Sequence, residues 1–194
     1  MIADEITYGD HFAKPFPYFV SGRAMSDEAS TLLLDWLERD APWNLVEADF
    51  YEQYEFDFRH IELPEAIKPI CNVQTLSRVK AFVESAFGVQ LTERIDLTAH
   101  KLLPGQKIRV HNDFIPGAET HRLLIQLNRG WNDDNGGLLM FFNSSEASDI
   151  HRVFRPIHNS CVAFAISANS LHAVSTIHAS ERFTLVYSFY ESRQ

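Results

Sequence analysis

The residues best placed to do chemistry are His111 and Asp113, separated by Asn112. In an extended strand, residues i and i+2 point to the same face, so this imidazole and this carboxylate can reach one metal ion. Two ligands are too few. A second histidine would complete the two-histidine, one-carboxylate face that leaves positions open on non-haem Fe(II). Downstream the choices are His121, His151, His158, His172 and His178. What selects His172 is Arg182, ten residues on, because a turn between them would fold both into the same barrel. An arginine deep in a metal site needs an anionic partner, since an unpaired buried charge is costly. A guanidinium suits a carboxylate, to which it donates two parallel hydrogen bonds. A metal face plus a carboxylate clamp describes a site for a 2-oxo acid cosubstrate. His178, six residues past His172, is the main rival ligand, whereas His100, His121, His151 and His158 read as surface or hydrogen-bonded structural residues.

Three further basic residues fall on potentially inward faces. Arg109 is in phase with His111 and Asp113, Arg122 with Gln126, and Lys101 with Leu97 and Ala99. Each could grip a substrate carboxylate, or else extend its long side chain from a strand end to water. Residues 43–58 carry Glu47, Asp49, Glu52, Glu55 and Asp57 among aromatic residues. Such a segment is either a lid whose acids attract an amine or guanidinium, or an amphipathic edge hairpin with a solvated acidic face.

Two helices and a run of strands must position these groups. Ser26 caps a helix opening with Asp27 and Glu28, with Ala29, Leu32, Leu33, Trp36 and Leu37 on one face before Asp40-Ala41-Pro42 ends it. A second helix lies between Pro69 and Gly88, its stripe being Leu76, Val79, Val83, Ala86 and Phe87. After Gly88 the pattern is strand: 95–100, 108–111, 123–128, 138–142, 152–154, 161–166 and 183–190, joined by Gly-, Pro- and Asn-rich turns. Gly136 and Gly137 read as a turn needing positive φ, and Trp131 as packing. Helices followed by about eight short antiparallel strands imply a mainly β fold with flanking helices, a jelly roll or barrel.

Composition bounds the function. The 194 residues suit one domain, with helical support and a hairpin over about 1–92 and a β core over about 93–194. With 45% hydrophobic and 22% charged residues, the chain is neither disordered nor fibrous. Lys plus Arg number 17 against 26 Asp plus Glu, and the net charge of −9 argues against nucleic-acid or anionic-membrane partners. No apolar run is long enough for a membrane helix, and Met-Ile-Ala-Asp-Glu lacks a signal-peptide layout. Cys71 and Cys161 are far apart and in no metal or redox spacing, so a cytoplasmic protein is expected.

From about Thr98 to Tyr190 the sequence resembles the Fe(II)- and 2-oxoglutarate-dependent dioxygenases, in particular their prolyl-4-hydroxylase-like branch. The resemblance rests on Leu103-Pro104-Gly105, His111-Asn-Asp113, Arg122-Leu-Leu-Ile-Gln-Leu-Asn128-Arg-Gly-Trp131, Gly136-Gly137-Leu-Leu-Met-Phe, the apolar strand 162–166, His172, and Arg182-Phe-Thr184. It implies a double-stranded β-helix core and a hydroxylase using Fe(II), 2-oxoglutarate and O2. His111, Asp113 and His172 would bind iron; Arg182, with Thr184 adding a hydroxyl, would hold the far carboxylate of 2-oxoglutarate. Gln126 occupies a position where prolyl-hydroxylase-like relatives often use tyrosine to touch that carboxylate, and Leu103 one where they often place another active-site tyrosine. These departures leave the metal assignment intact and weaken the case for a prolyl substrate. Asp113 favours hydroxylation over halogenation, because related halogenases carry a small residue there.

The expected substrate is a small molecule such as a free amino acid, or a peptide side chain, with protein prolyl or other side-chain hydroxylation as the alternative. Two rivals come from other classes. One is a non-catalytic metal-binding or oxygen-sensing module; the other is a cupin-like Zn or Mn enzyme catalysing hydrolysis or isomerisation, which would have no use for Arg182.

Overall fold

The computed structural model describes Ile6 and residues 9–192; the acidic opening at residues 1–5 lies outside them. Helix α1 spans Asp27–Arg39, and Ser26 caps it, its hydroxyl accepting from the Ala29 N–H at 3.3 Å. Its buried face is Ser30, Leu33, Leu34, Trp36 and Leu37. Leu32, expected in that stripe, is 45% exposed, because the inward face is rotated towards Leu34. Helix α2 spans Val73–Phe87; Asn72 accepts from the Thr75 N–H, and Gly88 ends the helix at φ 68°, where a side chain would be strained. No described helix is long and apolar enough to cross a membrane.

The strands are β1 (Asp10–Phe12), β2 (Tyr18–Ser21), β3 (Asn44–Ala48), β4 (Tyr51–Asp57), β5 (Leu91–Leu102), β6 (Ile108–His111), β7 (His121–Gln126), β8 (Leu139–Phe142), β9 (Ile150–Phe154), β10 (Cys161–Ala165), β11 (His172–Val174) and β12 (Arg182–Glu191). They form one curled antiparallel sheet in the order β1-β2-β10-β7-β12-β5-β4-β6-β11-β8-β9, with β3 paired to β4. The chain therefore does not run helices first. Strands β1 to β4 precede α2 and join the sheet, β2 against β10 and β4 between β5 and β6. The hairpin expected in residues 43–58 is present, but β4 is an interior strand rather than an edge. β11 was outside the expected strands: three residues are too few to show a period.

Period-two alternation divides the strands between two cores. Phe183, Leu185, Tyr187 and Phe189 of β12 pack with Leu97 and Ala99 of β5, Leu123 and Ile125 of β7, and Val79, Val83, Leu33 and Leu34 of the helices. The opposite faces look into the curl. There Leu124, Val186 and Leu102 meet Leu139, Phe141, Val162, Phe164 and Val174 in a second, aromatic-rich cluster. Between the layers lies a cavity of about 380 Å³, within the roughly 300–1,000 Å³ typical of small-molecule sites.

Candidate functional site

The triad predicted from spacing is brought together. His111 ends β6, His172 opens β11, and the two are paired across the antiparallel ladder. Asp113 lies beyond β6 at φ 58°, a left-handed conformation that aspartate adopts more readily than most residues. That backbone turn, rather than a straight strand, returns its carboxylate to the imidazoles. Asp113 Oδ1 is 3.3 Å from His111 Nε2, and Oδ2 is 3.1 Å from His172 Nε2. The three ligand atoms lie within 4.8 Å of one another.

The surroundings fix the tautomers. His111 Nδ1 donates to the Arg109 carbonyl at 2.9 Å and His172 Nδ1 to the Ser170 carbonyl at 2.7 Å. Both Nε2 lone pairs are thereby left free and aimed at Asp113, as metal-binding histidines require. Phe50 stacks on His111 at 4.4 Å, and Phe164 packs against His172 at 5.0 Å. Asn112, silent between its neighbours in the motif, donates to the Ala168 carbonyl and so ties the metal loop to the turn before β11. Burial works to raise the Asp113 pKa, but the imidazoles set against it and the Arg122 charge outweigh it and hold the carboxyl well below the usual range. Two imidazoles and one carboxylate, held converging, fit a divalent metal ion.

Arg182, at the start of β12, is 4% exposed. Its Nε donates to the Gly137 carbonyl at 2.9 Å and its Nη1 to Thr184 Oγ1 at 2.7 Å; Thr184 in turn donates to Gln126 Oε1 at 3.1 Å. Among the described residues no carboxylate pairs with it, and burial pushes the guanidinium down to about 10. A buried cation lining a cavity without a counter-ion fits a small carboxylate ligand. Gly136 and Gly137 have φ 69° and 64°, as the turn reading expected, and Gly137 packs directly on Arg182. Asn128 holds the adjacent backbone, bonding both the N–H and the carbonyl of Phe183.

Arg182 and Thr184 line the cavity with the triad, whereas Gln126 stands behind Thr184. Arg122 also lines it, bonded to Asp113 Oδ2 at 2.5 Å and to Glu119, so its guanidinium is engaged with a triad member rather than free for a substrate. Arg109 is exposed and outside the cavity. Lys101 is in phase with Leu97 and Ala99 as expected, but that face looks away from the cavity; its ammonium lies over Trp43 and Tyr54. Leu103 is past the end of β5, and the residue facing inward is Leu102.

Of the other histidines, His178 is exposed, His121 is buried against Phe87, His151 is near Tyr18 and His158 bonds Ser30. His100 is different. It lines the cavity between Gln53 Nε2 (3.3 Å) and Thr98 Oγ1 (3.2 Å), and burial, with help from Arg122 and Arg182, pushes it down to about 3, so it is neutral. Tyr51, Gln53, Glu55 and Asp57 of β4 also line the cavity. The sequence signal for these five was alternation along 51–57 and 96–102, legible only once β4 and β5 are known to be neighbours.

The family comparison falls on the same segment. Residues 97–190, just under half the chain, match the model of the 2OG-Fe(II) oxygenase superfamily. No curated protein matches the sequence. Among solved structures, a Pseudomonas putida prolyl-4-hydroxylase is similar with a TM-score of 0.72 at 17% identity, covering 91% of this chain and 93% of that one. An oxidoreductase of the 2OG-Fe(II) oxygenase family from Burkholderia pseudomallei gives 0.66 at 21% identity, covering 89% and 84%. A Trichoplax adhaerens prolyl hydroxylase, solved with a peptide fragment of the hypoxia inducible factor oxygen degradation domain, gives 0.67 at 14% identity, covering 90% and 83%. The segment that matches the family model is the one that carries His111, Asp113, His172 and Arg182, so the likeness to the 2OG-Fe(II) oxygenases, which work with Fe(II), 2-oxoglutarate and O2, covers the triad and the buried arginine together.

Proposed function

We propose that this protein hydroxylates an aliphatic C–H of a free amino acid or a peptide side chain, on a double-stranded β-helix whose inner faces hold His111, Asp113 and His172 as iron ligands. Arg182 and Thr184 clamp the distal carboxylate of 2-oxoglutarate. The observation that carries this reading is the unpaired, buried Arg182 in one cavity with the triad. When bound, Fe(II) with 2-oxoglutarate and O2 supplies the oxidising power: 2-oxoglutarate becomes succinate and CO2 while R–H becomes R–OH.

The chain's own residues orient and insulate. Arg109 and Ser170 carbonyls keep the two imidazoles in the tautomer that presents Nε2. Arg122 holds one oxygen of Asp113, and Glu119 steadies Arg122 from its other side. Leu102, Leu124, Leu139, Val174 and Val186 line the cavity with apolar surface, which excludes water and strengthens the Arg182–carboxylate pair. The cavity has room for a five-carbon dicarboxylate beside a single substrate side chain, which supports a small or peptide substrate. Prolyl hydroxylases among the structural neighbours favour a peptide side chain.

Succinate release from 2-oxoglutarate by the Fe(II)-loaded protein, screened over amino acids and short peptides, tests the proposal. A substrate that raises succinate release and gains one oxygen from O2 supports it. Succinate formation that Arg182→Ala leaves unchanged would contradict it.

A further inference from the structure

The cavity wall built by β4 has acceptors that the iron and cosubstrate do not use. Glu55 lines the cavity with its side chain 28% exposed, its carboxylate accepting from Gln53 Nε2 at 2.8 Å. Every other carboxylate lining the cavity is engaged: Asp57 and Asp96 with Arg59 and Arg94, Glu119 with Arg122, and Asp113 with the triad histidines and Arg122. Among the described residues no lysine or arginine pairs with Glu55. Its nearest basic group is His100, 3.9 Å away and held neutral by burial and two arginines.

Gln53 supplies an independent observation. The residue is 2% exposed and lines the cavity; both contacts of its amide nitrogen are made, yet Oε1 has no hydrogen-bond partner. A buried amide oxygen without a donor is costly, so it fits a donor arriving with a ligand. The site is close to the metal face, because Tyr51 feels the charges of both Glu55 and Asp113.

We infer that Glu55 and Gln53 Oε1 form the substrate-recognition site and take a protonated amine or guanidinium, so that the substrate is a cationic aliphatic compound. This inference rests on the oxygenase reading above. A carboxylate and an amide oxygen together offer acceptors to two of the N–H groups of an ammonium, or to one edge of a guanidinium. The opposite charges of Arg122 and Arg182 are already committed to Asp113 and to the cosubstrate. Net charge inside the cavity therefore favours a cation at β4.

Calorimetric binding to the Mn(II)- and 2-oxoglutarate-loaded protein, which is stalled without iron, tests this directly. The probes are L-lysine and L-arginine against L-norleucine, and the blocked tripeptide Gly-Lys-Gly against Gly-norleucine-Gly, which separates a free amino acid from a peptide residue. The expected result is that at least one cationic probe binds ten- to a hundredfold more tightly than its neutral match, in line with a charge-assisted hydrogen bond. Glu55→Gln abolishes that preference at unchanged melting temperature, and Gln53→Leu lowers affinity while keeping it. Equal binding of charged and neutral probes, no binding by any cationic probe, or a preference that survives Glu55→Gln overturns the inference. If a prior titration of the Mn(II)-loaded protein shows no binding of 2-oxoglutarate, the oxygenase reading itself fails; if 2-oxoglutarate binds and only the charge preference is missing, this inference alone fails.

Discussion

Replacing Arg182 with methionine separates its role as a clamp from any role in holding the fold. Burial pulls the guanidinium from 12.5 to about 10. At about 1.4 kcal/mol per tenfold change in proton affinity, keeping the charge there costs roughly 3 kcal/mol in the empty protein. Arg182→Met removes that cost, and leaves the Gly137 carbonyl and the Thr184 hydroxyl each short of one donor, about 1 kcal/mol apiece. The net is a stabilisation of about 1 kcal/mol, which for a chain of this size raises the melting temperature by roughly 2–4 °C. With 2-oxoglutarate the sign reverses. At a hundredfold excess over Kd the ligand stabilises the wild type by about 2.7 kcal/mol, whereas the variant, losing about 3–5 kcal/mol of a buried ion pair, gains almost nothing. Scanning fluorimetry with Mn(II), with and without 2-oxoglutarate, reads both effects. A variant that melts well below wild type and keeps the ligand-induced shift would refute the clamp and make Arg182 a structural residue.

Arg122→Leu should weaken metal binding about 10- to 100-fold by freeing Asp113 from its partner; competition with a metallochromic chelator measures it, and unchanged affinity would show that Arg122 does not support the metal face. Gly137→Ala places a Cβ 2.6 Å from Ile177 Cδ1 and 3.0 Å from Arg182 Cδ at a φ of +64°, so 2-oxoglutarate affinity should fall at least tenfold; a normal Kd would show that Arg182 tolerates the shift. His100 and His121 are pushed by burial to about 3 and about 4. Because these folded values lie below the unfolded 6.5, the unfolded chain binds more protons between pH 6.5 and about 4, and stability falls as pH falls through that window, by up to ~2.7 kcal/mol per unit for two groups. Urea unfolding at pH 7 and pH 5 checks it; equal stabilities would mean that these histidines charge without cost.

The chemistry was more legible than its geometry. His111, Asp113, His172 and Arg182 could be picked out because metal and carboxylate chemistry restricts residue type and order, whatever the backbone does between them. The helices were legible too, since Ser26 and Gly88 mark helix ends by local chemistry. What sequence could not show was which face of a strand looks inward when both are buried. Lys101 shares a face with Leu97 and Ala99, and that apolar face packs on the helices, so the polar residues Thr98 and His100 are the ones in the cavity. The place of β4 depends on pairing with β5, forty residues later, and local periodicity carries no information about partners. Asp113 reaches the imidazoles through a left-handed residue, where the i, i+2 rule would have needed a continuous strand.

The most direct measurement is an anaerobic visible titration of the metal-free protein with Fe(II), followed by 2-oxoglutarate. Chelation of the keto acid to iron held by His111, Asp113 and His172 predicts a new charge-transfer band that is absent in His172→Ala and requires much higher 2-oxoglutarate in Arg182→Met. No band, or a band that survives loss of His172, would contradict iron binding at this triad.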